Sequence, residues 1–377
     1  MSVVLVTGGA GFIGSHVVSG LLKAGYRARV LDNLSPQVHG ALPKGLDWLA
    51  SVDFMRGSVT SRKDVQQALA GAKAVVHLAA ETGTGQSMYE IARYSENNVA
   101  GTAVLLDVLA NDRNHGVERL VLASSRAVYG EGAYVCAACA PHKRLSPAPR
   151  TAKQLAARQW EHACPQCGAT LTAVPTSEDD ALRPASIYAA TKLAQEHLTA
   201  IACAAHGIGY AILRLQNVYG EGQSLDNPYT GILSIFSTRL RRGRHLPIYE
   251  DGLETRDFVH VVDVAAAVVA AVRSDLAPNG VVNVGSGVGT TVSDVARALA
   301  AAFGASPDLV VTGEYRLGDI RHNRADIARM RALIGGEPAI GLAEGLRRFA
   351  AWVATQPLPD DRLAQASAEL RARQLMG

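Results

Sequence analysis

Apolar positions along the chain fall into two alternating patterns. Val3 to Val6 is a short unbroken run with the branching of a strand buried on both faces, and the segment Val17 to Leu22 after it carries the helical period. The strand pattern returns in "RARVLD" at 27–32, "AVVHLAA" at 74–80 and "RLVLASS" at 119–125, with a helical pattern from Val99 to Leu109 between the last two. Strand and helix in turn predict an α/β chain built on a doubly wound parallel sheet, whose ligands lie beyond the carboxyl ends of the strands. The most apolar stretch, "VVDVAAAVVAAV" at 261–272, is too short for a membrane span, carries Asp263 and reads as a buried helix.

The first strand runs straight into "TGGAGFIG", which precedes the first helix. Gly8, Gly11 and Gly14 give the spacing GxxGxxG. The first glycine permits a tight turn, the second lets a pyrophosphate approach the backbone, and the third lets the helix pack on the sheet. A glycine triplet alone is weak, but "RARVLD" ends at Asp32, where a carboxylate can accept both ribose hydroxyls of an adenosine and repel a 2′-phosphate. NAD is therefore favoured over NADP. The candidate cofactor surface comprises Gly8, Gly11, Phe12, Ile13, Gly14, Asp32, Asn33, Ser58, Val59, Leu78, Ala79, Ala80, Asn98 and Ser124, together with Tyr188 and Lys192. The small residues at the strand ends suit a cofactor or plain packing equally well.

Composition narrows the function classes. The chain has 377 residues, 48% hydrophobic and 19% charged, enough for a large core in about two domains. A formal charge of +3, with basic residues scattered, implies neither nucleic acid nor an anionic membrane as partner. Small molecules are the expected partners. "MSVVLVTGG" lacks the basic start and apolar stretch of a signal peptide, so the expected compartment is the cytoplasm.

"YAATK" places Tyr188 and Lys192 four apart, on one helix face and within reach of a common ligand. An adjacent ammonium and a positive nicotinamide are expected to lower the phenol's pKa and make it a usable general base. In order along the chain come "TGGAGFIG", "HLAA", "SSRAVYGEG", "YAATK", "RLQNVYG", "RDFVHVVDV" and "RLGDIRH". This series resembles the extended short-chain dehydrogenase/reductase family, in particular its NAD-dependent nucleotide-sugar epimerases, over Met1 to about residue 350. The resemblance implies tightly bound NAD and a homodimer. It adds Ser125 to the catalytic pair, and makes Asn217, Tyr229, Arg256 and Arg316 candidates for holding a dTDP- or UDP-sugar. The fork geometry of arginine suits a diphosphate.

Dehydratases and decarboxylases of the family need acid/base residues just after the catalytic hydroxyl, whereas Arg126 and Ala127 follow Ser125. A reductase would exchange a cofactor that is usually phosphorylated, which Asp32 disfavours. Inversion at C4 through a 4-keto sugar is the expected reaction. The stretch "QSLDNPYTGILSIF" and the cysteine-bearing interruption look like epimerases that convert dTDP-L-rhamnose to dTDP-6-deoxy-L-talose. A UDP-hexose 4-epimerase and a nucleotide-4-keto-sugar reductase are the alternatives.

Tyr129 and Tyr188 lie 59 positions apart, far more than the family pattern requires, and the excess holds Cys136, Cys139, Cys164 and Cys167 as CxxC-x24-CxxC. Four thiolates at such spacing suit a structural tetrahedral Zn²⁺; disulfides compete but do not fit a cytoplasmic chain. The basic residues His142, Lys143, Arg144 and Arg150 read as a solvated face, and the segment could also serve as a docking module for a partner or a second subunit. Cys203 reads as core packing. The expected organisation is an NAD-binding Rossmann domain over 1–132, a zinc-ribbon-like insertion over 133–172 and a return to the Rossmann domain with the catalytic helix over 173–217. A smaller α/β substrate lobe follows over 218–256, then a second return over 257–285, and 286–377 completes the lobe with C-terminal helices.

Overall fold

A computed structural model describes residues 2–39, 47–112, 115–225, 231–273, 279–306 and 308–377. Seven parallel strands form the main sheet: β1 (Val3–Thr7), β2 (Arg27–Asp32), β3 (Asp53–Arg56), β4 (Ala72–His77), β5 (Arg119–Ser125), β6 (Gly209–Leu215) and β7 (Gly280–Val284). Their spatial order is β7-β6-β5-β4-β1-β2-β3. The order reverses beside β1, which is where such sheets open a crevice for a nucleotide.

Alternate residues of each strand feed opposite faces. Val4, Val6, Val30, Val76 and Leu213 pack under helices Phe12–Lys23 and Val261–Val272. Leu5, Leu31, Val75, Leu120 and Ile212 pack under Gly101–Asn111 and Ile187–His206, where Cys203 is buried as expected. Each such side chain contributes about 1.5–3 kcal/mol on burial. Covered faces explain why the strands read as unbroken apolar runs.

Beyond β6 the chain builds a second core around Tyr219, Leu233, Phe236, Leu299 and Phe349. A three-stranded sheet of Asn217–Tyr219, Thr255–His260 and Gly289–Thr291 belongs to this region, and Leu246–Ile248 pairs with Leu309–Val311. The cysteine segment makes its own small sheet, with Tyr134–Cys136 between Ala140–Leu145 and Thr172–Ala173. Among the described residues no helix is long and apolar enough to cross a membrane.

Candidate active site

The glycine turn is built for a dinucleotide. Gly8 has φ +70°, and a Cβ there would lie 2.7 Å from the Ala79 amide nitrogen, so the turn closes directly onto the end of β4. A Cβ on Gly14 would lie 2.3 Å from the Gly8 carbonyl oxygen, so helix and turn touch backbone to backbone. Gly11 caps the helix without any side-chain bond, which leaves the first-turn amides at Phe12 and Ile13 for an anion. Asp32 is buried at the end of β2 and accepts from the Ala10 amide at 3.0 Å and the Leu34 amide at 2.9 Å. His39 stands 3.6 Å from the same carboxylate, a neighbour that the sequence did not signal. These residues fit NAD. Gly14→Ala should therefore cost about 1–3 kcal/mol of packing and lower NAD affinity roughly 10- to 100-fold. The cofactor released on denaturation measures it.

The other strand-end residues divide. Ala79 donates to the Thr7 hydroxyl at 3.3 Å and Leu78 to the Thr7 carbonyl at 3.0 Å, with Ala80 next in line. Ser58 donates from its amide to Asp64 at 3.0 Å, Val59 packs in the core, and exposed Asn33 accepts from the Ser35 amide. Asn98 and Ser124 are bonded within the chain. Both amide hydrogens of Asn98 are engaged, with the Glu81 carbonyl at 3.1 Å and the Thr191 hydroxyl at 3.0 Å, so Asn98 ties the catalytic helix to the segment after β4. The Ser124 hydroxyl donates to Glu196, which is paired with Arg214 at 2.7 Å, so it supports the helix from beneath.

Helix Ile187–His206 carries the reactive pair. Ser186 caps it, accepting from the Ala189 amide at 3.2 Å, and Gly207 ends it with φ +67°. The Tyr188 phenol lies within the influence of the side chain of Ser125, the last residue of β5. Lys192, one turn on, donates to the Ala123 carbonyl at 2.8 Å. Burial pushes the phenol up, and this outweighs the downward pull of Ser125 and of the Arg126 guanidinium. The expected depression of the phenol's pKa is thus not seen in the chain by itself, because burial dominates. Burial brings Lys192 down to about 8, against the opposing pull of Glu196.

One cavity reaches Arg126, the residue that follows Ser125. Arg126, Asn217, Glu254, Arg256 and Arg316 line it, so three guanidiniums and a carboxamide converge on one space. Arg126 donates to Asn217 Oδ1 at 2.9 Å, and burial together with nearby Arg256 lowers it to about 10. Arg316 stacks on Tyr249, 4.9 Å from the ring centre, and its buried Nε has no partner among the described residues. Such donors suit a diphosphate. Burial pushes Glu254 to about 7. Arg126 and Glu254 were missed in the sequence; the place of Arg126 directly after Ser125 was the available signal. Tyr229 lies outside the described residues.

A family model described as the NAD dependent epimerase/dehydratase family matches residues 4–285. The chain belongs to that family. The expected extended short-chain dehydrogenase/reductase, of the NAD-dependent nucleotide-sugar epimerase type, is borne out. The chain is 40% identical to a dTDP-L-rhamnose 4-epimerase of Burkholderia thailandensis over 94% of its length and 95% of the relative's. A UDP-glucose 4-epimerase of Thermus thermophilus, solved with NAD, superposes with TM-score 0.72 at 30% identity, covering 94% of this chain and 100% of that one. The UDP-glucose 4-epimerase of Thermotoga maritima, solved with UDP-glucose, gives TM-score 0.74 at 28% identity, covering 93% and 98%.

The four cysteines form a separate cluster. Their sulfurs all lie within 4.8 Å of one another, with Cys136 to Cys139 at 3.4 Å, Cys136 to Cys167 at 3.5 Å and Cys139 to Cys164 at 3.6 Å. Ligands about 2.3 Å from a tetrahedral zinc stand about 3.8 Å apart. Bonded sulfurs stand about 2.05 Å apart. The geometry fits a four-thiolate metal site and the thiols are free.

Proposed function

We propose that this epimerase inverts C4 of a nucleotide sugar, converting dTDP-L-rhamnose to dTDP-6-deoxy-L-talose, with a structural Zn²⁺ on the four cysteines. The reading is carried by the Tyr188 phenol, which interacts with Ser125 and Arg126, together with the cavity that Arg126 lines with Arg256 and Arg316. Bound NAD would supply the oxidation at C4 and its reversal. Tyr188 takes the proton of the sugar 4-hydroxyl and later returns one, while Ser125 holds the same oxygen and steers the transfer. The arginines keep the diphosphate anchored while the flat 4-keto sugar turns, so the proton is returned with the opposite face presented. Lys192, one turn from Tyr188, would hold the nicotinamide ribose.

The choice of sugar is supported by the likeness to the Burkholderia protein along 94% of the chain. The test is incubation with a panel of dTDP- and UDP-sugars without added cofactor, followed by NMR at C4. dTDP-L-rhamnose should be converted at least about tenfold more efficiently, in kcat/KM, than UDP-glucose. Preference for the UDP-hexose would replace this substrate. A strict need for added NADPH would replace epimerisation by reduction.

A further inference from the structure

The basic residues of the cysteine segment do not form one solvated face. Arg144 pairs on the surface with Asp180 and the Pro175 carbonyl. Arg150, by contrast, is only 5% exposed and enters the body of the protein. Its Nη1 donates to Glu250 Oε2 at 2.7 Å, its Nη2 to the Asp319 carbonyl at 3.1 Å, and its Nε stands 3.6 Å from Glu131. Glu250 and Asp319 both line the cavity that Arg316 enters.

Two further groups from the segment join the same network. Glu161 accepts from Arg321 Nε at 2.8 Å, and His162 stands 3.2 Å from Glu131. Arg321, itself 1% exposed, binds Asp251 through both terminal nitrogens and reaches Glu250 at 3.1 Å, while its amide donates to Glu131 at 2.7 Å. Glu250 also has φ +48°, a backbone conformation that a residue with a Cβ keeps only when its surroundings enforce it. Two buried cations enforce it here, and one of them comes from between the two cysteine pairs.

We propose that the cysteine segment is an internal brace of the nucleotide-sugar cavity, with Arg150 as positioning residue. Through Glu250 and the Asp319 carbonyl it fixes the wall from which Arg316 reaches the ligand. This rests on the cavity being the nucleotide-sugar site, and it sets the segment's role apart from that of a surface docking module. A buried carboxylate that loses one of two cationic partners re-solvates or shifts. The wall should then loosen and ground-state binding should weaken, while the proton transfer at Tyr188 is spared.

The experiment compares Arg150→Gln and Arg150→Lys with the unaltered holoenzyme for dTDP affinity by calorimetry, for KM and kcat, and for zinc and NAD content. Arg150→Gln should weaken dTDP binding and raise KM about tenfold with kcat within about threefold, and Arg150→Lys should recover part of the loss. Unchanged dTDP affinity in a variant that retains zinc and NAD overturns the brace, as does a fall confined to kcat. Should Arg150→Gln fail to fold, Glu161→Gln, at the half-exposed end of the network, must reproduce the KM effect or the proposal falls. An unaltered protein that binds dTDP but converts no sugar fails the substrate reading alone, since the dTDP comparison still decides the brace. Binding of neither dTDP nor UDP removes the cavity reading and the brace with it.

Discussion

Tyr188→Phe is expected to lower turnover by about 10³–10⁴-fold, within reach of what a positioned acid/base group supplies, while NAD stays on the protein. Only the phenolic oxygen is removed. The helix keeps its Ser186 cap and the Tyr188 amide keeps its bond to Ser87 at 3.0 Å, so the fold has little reason to respond. The groups expected to hold the cofactor, from Gly8 to Gly14 after β1 and Asp32 at the end of β2, are untouched. Ser125 and Lys192 remain, yet neither replaces the lost oxygen, because neither sits at the position of the Tyr188 hydroxyl. Because burial keeps the phenol protonated in the chain itself, its ionisation needs positive charge beside it, and Arg126 is the chain's own contribution. Kinetics by NMR, with NAD measured after denaturation, separate the outcomes. Normal inversion by the Phe variant would mean a different base, and loss of NAD would mean a structural role for the oxygen.

The parts of this site that could be read in advance are those that nearby residues determine. Runs such as "RLVLASS" matched β5 residue for residue because both faces of the strand are covered, and "TGGAGFIG" could be interpreted because each glycine answers a local steric demand. Tyr188 and Lys192 were legible for the same reason, since a separation of four fixes a shared helix face. What stayed hidden depends on partners distant along the chain. Arg126 and Glu254 become site residues only when Asn217, Arg256 and Arg316 fold around them. Glu196 and Arg214 are ordinary charges in sequence, but they form a buried pair that claims Ser124. The bond that ties Asn98 to Thr191, 93 positions away, has no local signal either. Arg150 was misread for that reason too: nothing near it signals Glu250 or Asp319.

The second large effect is expected from the metal. Protein purified without chelator should release about one zinc per chain on denaturation, as a closed four-thiolate site requires. Replacing both Cys164 and Cys167 by Ser should abolish that zinc. The segment's own core consists of Tyr134, Cys136, Cys164 and Leu171 with a few half-buried neighbours, too little apolar surface to hold three short strands. Without the metal the span between the cysteine pairs should open, and limited proteolysis should cut within 137–163 while the NAD-binding sheet survives. Arg150, Glu161 and His162 leave the cavity wall when that span opens, so KM should rise at least as far as in Arg150→Gln, by about tenfold or more. NAD content should stay near that of the unaltered protein, because the glycine turn stands on a different part of the sheet. Metal-free protein that resists protease and keeps its KM would show that the small core suffices alone and remove zinc from the account. Loss of zinc together with NAD would show instead that the segment and the main sheet unfold as one unit.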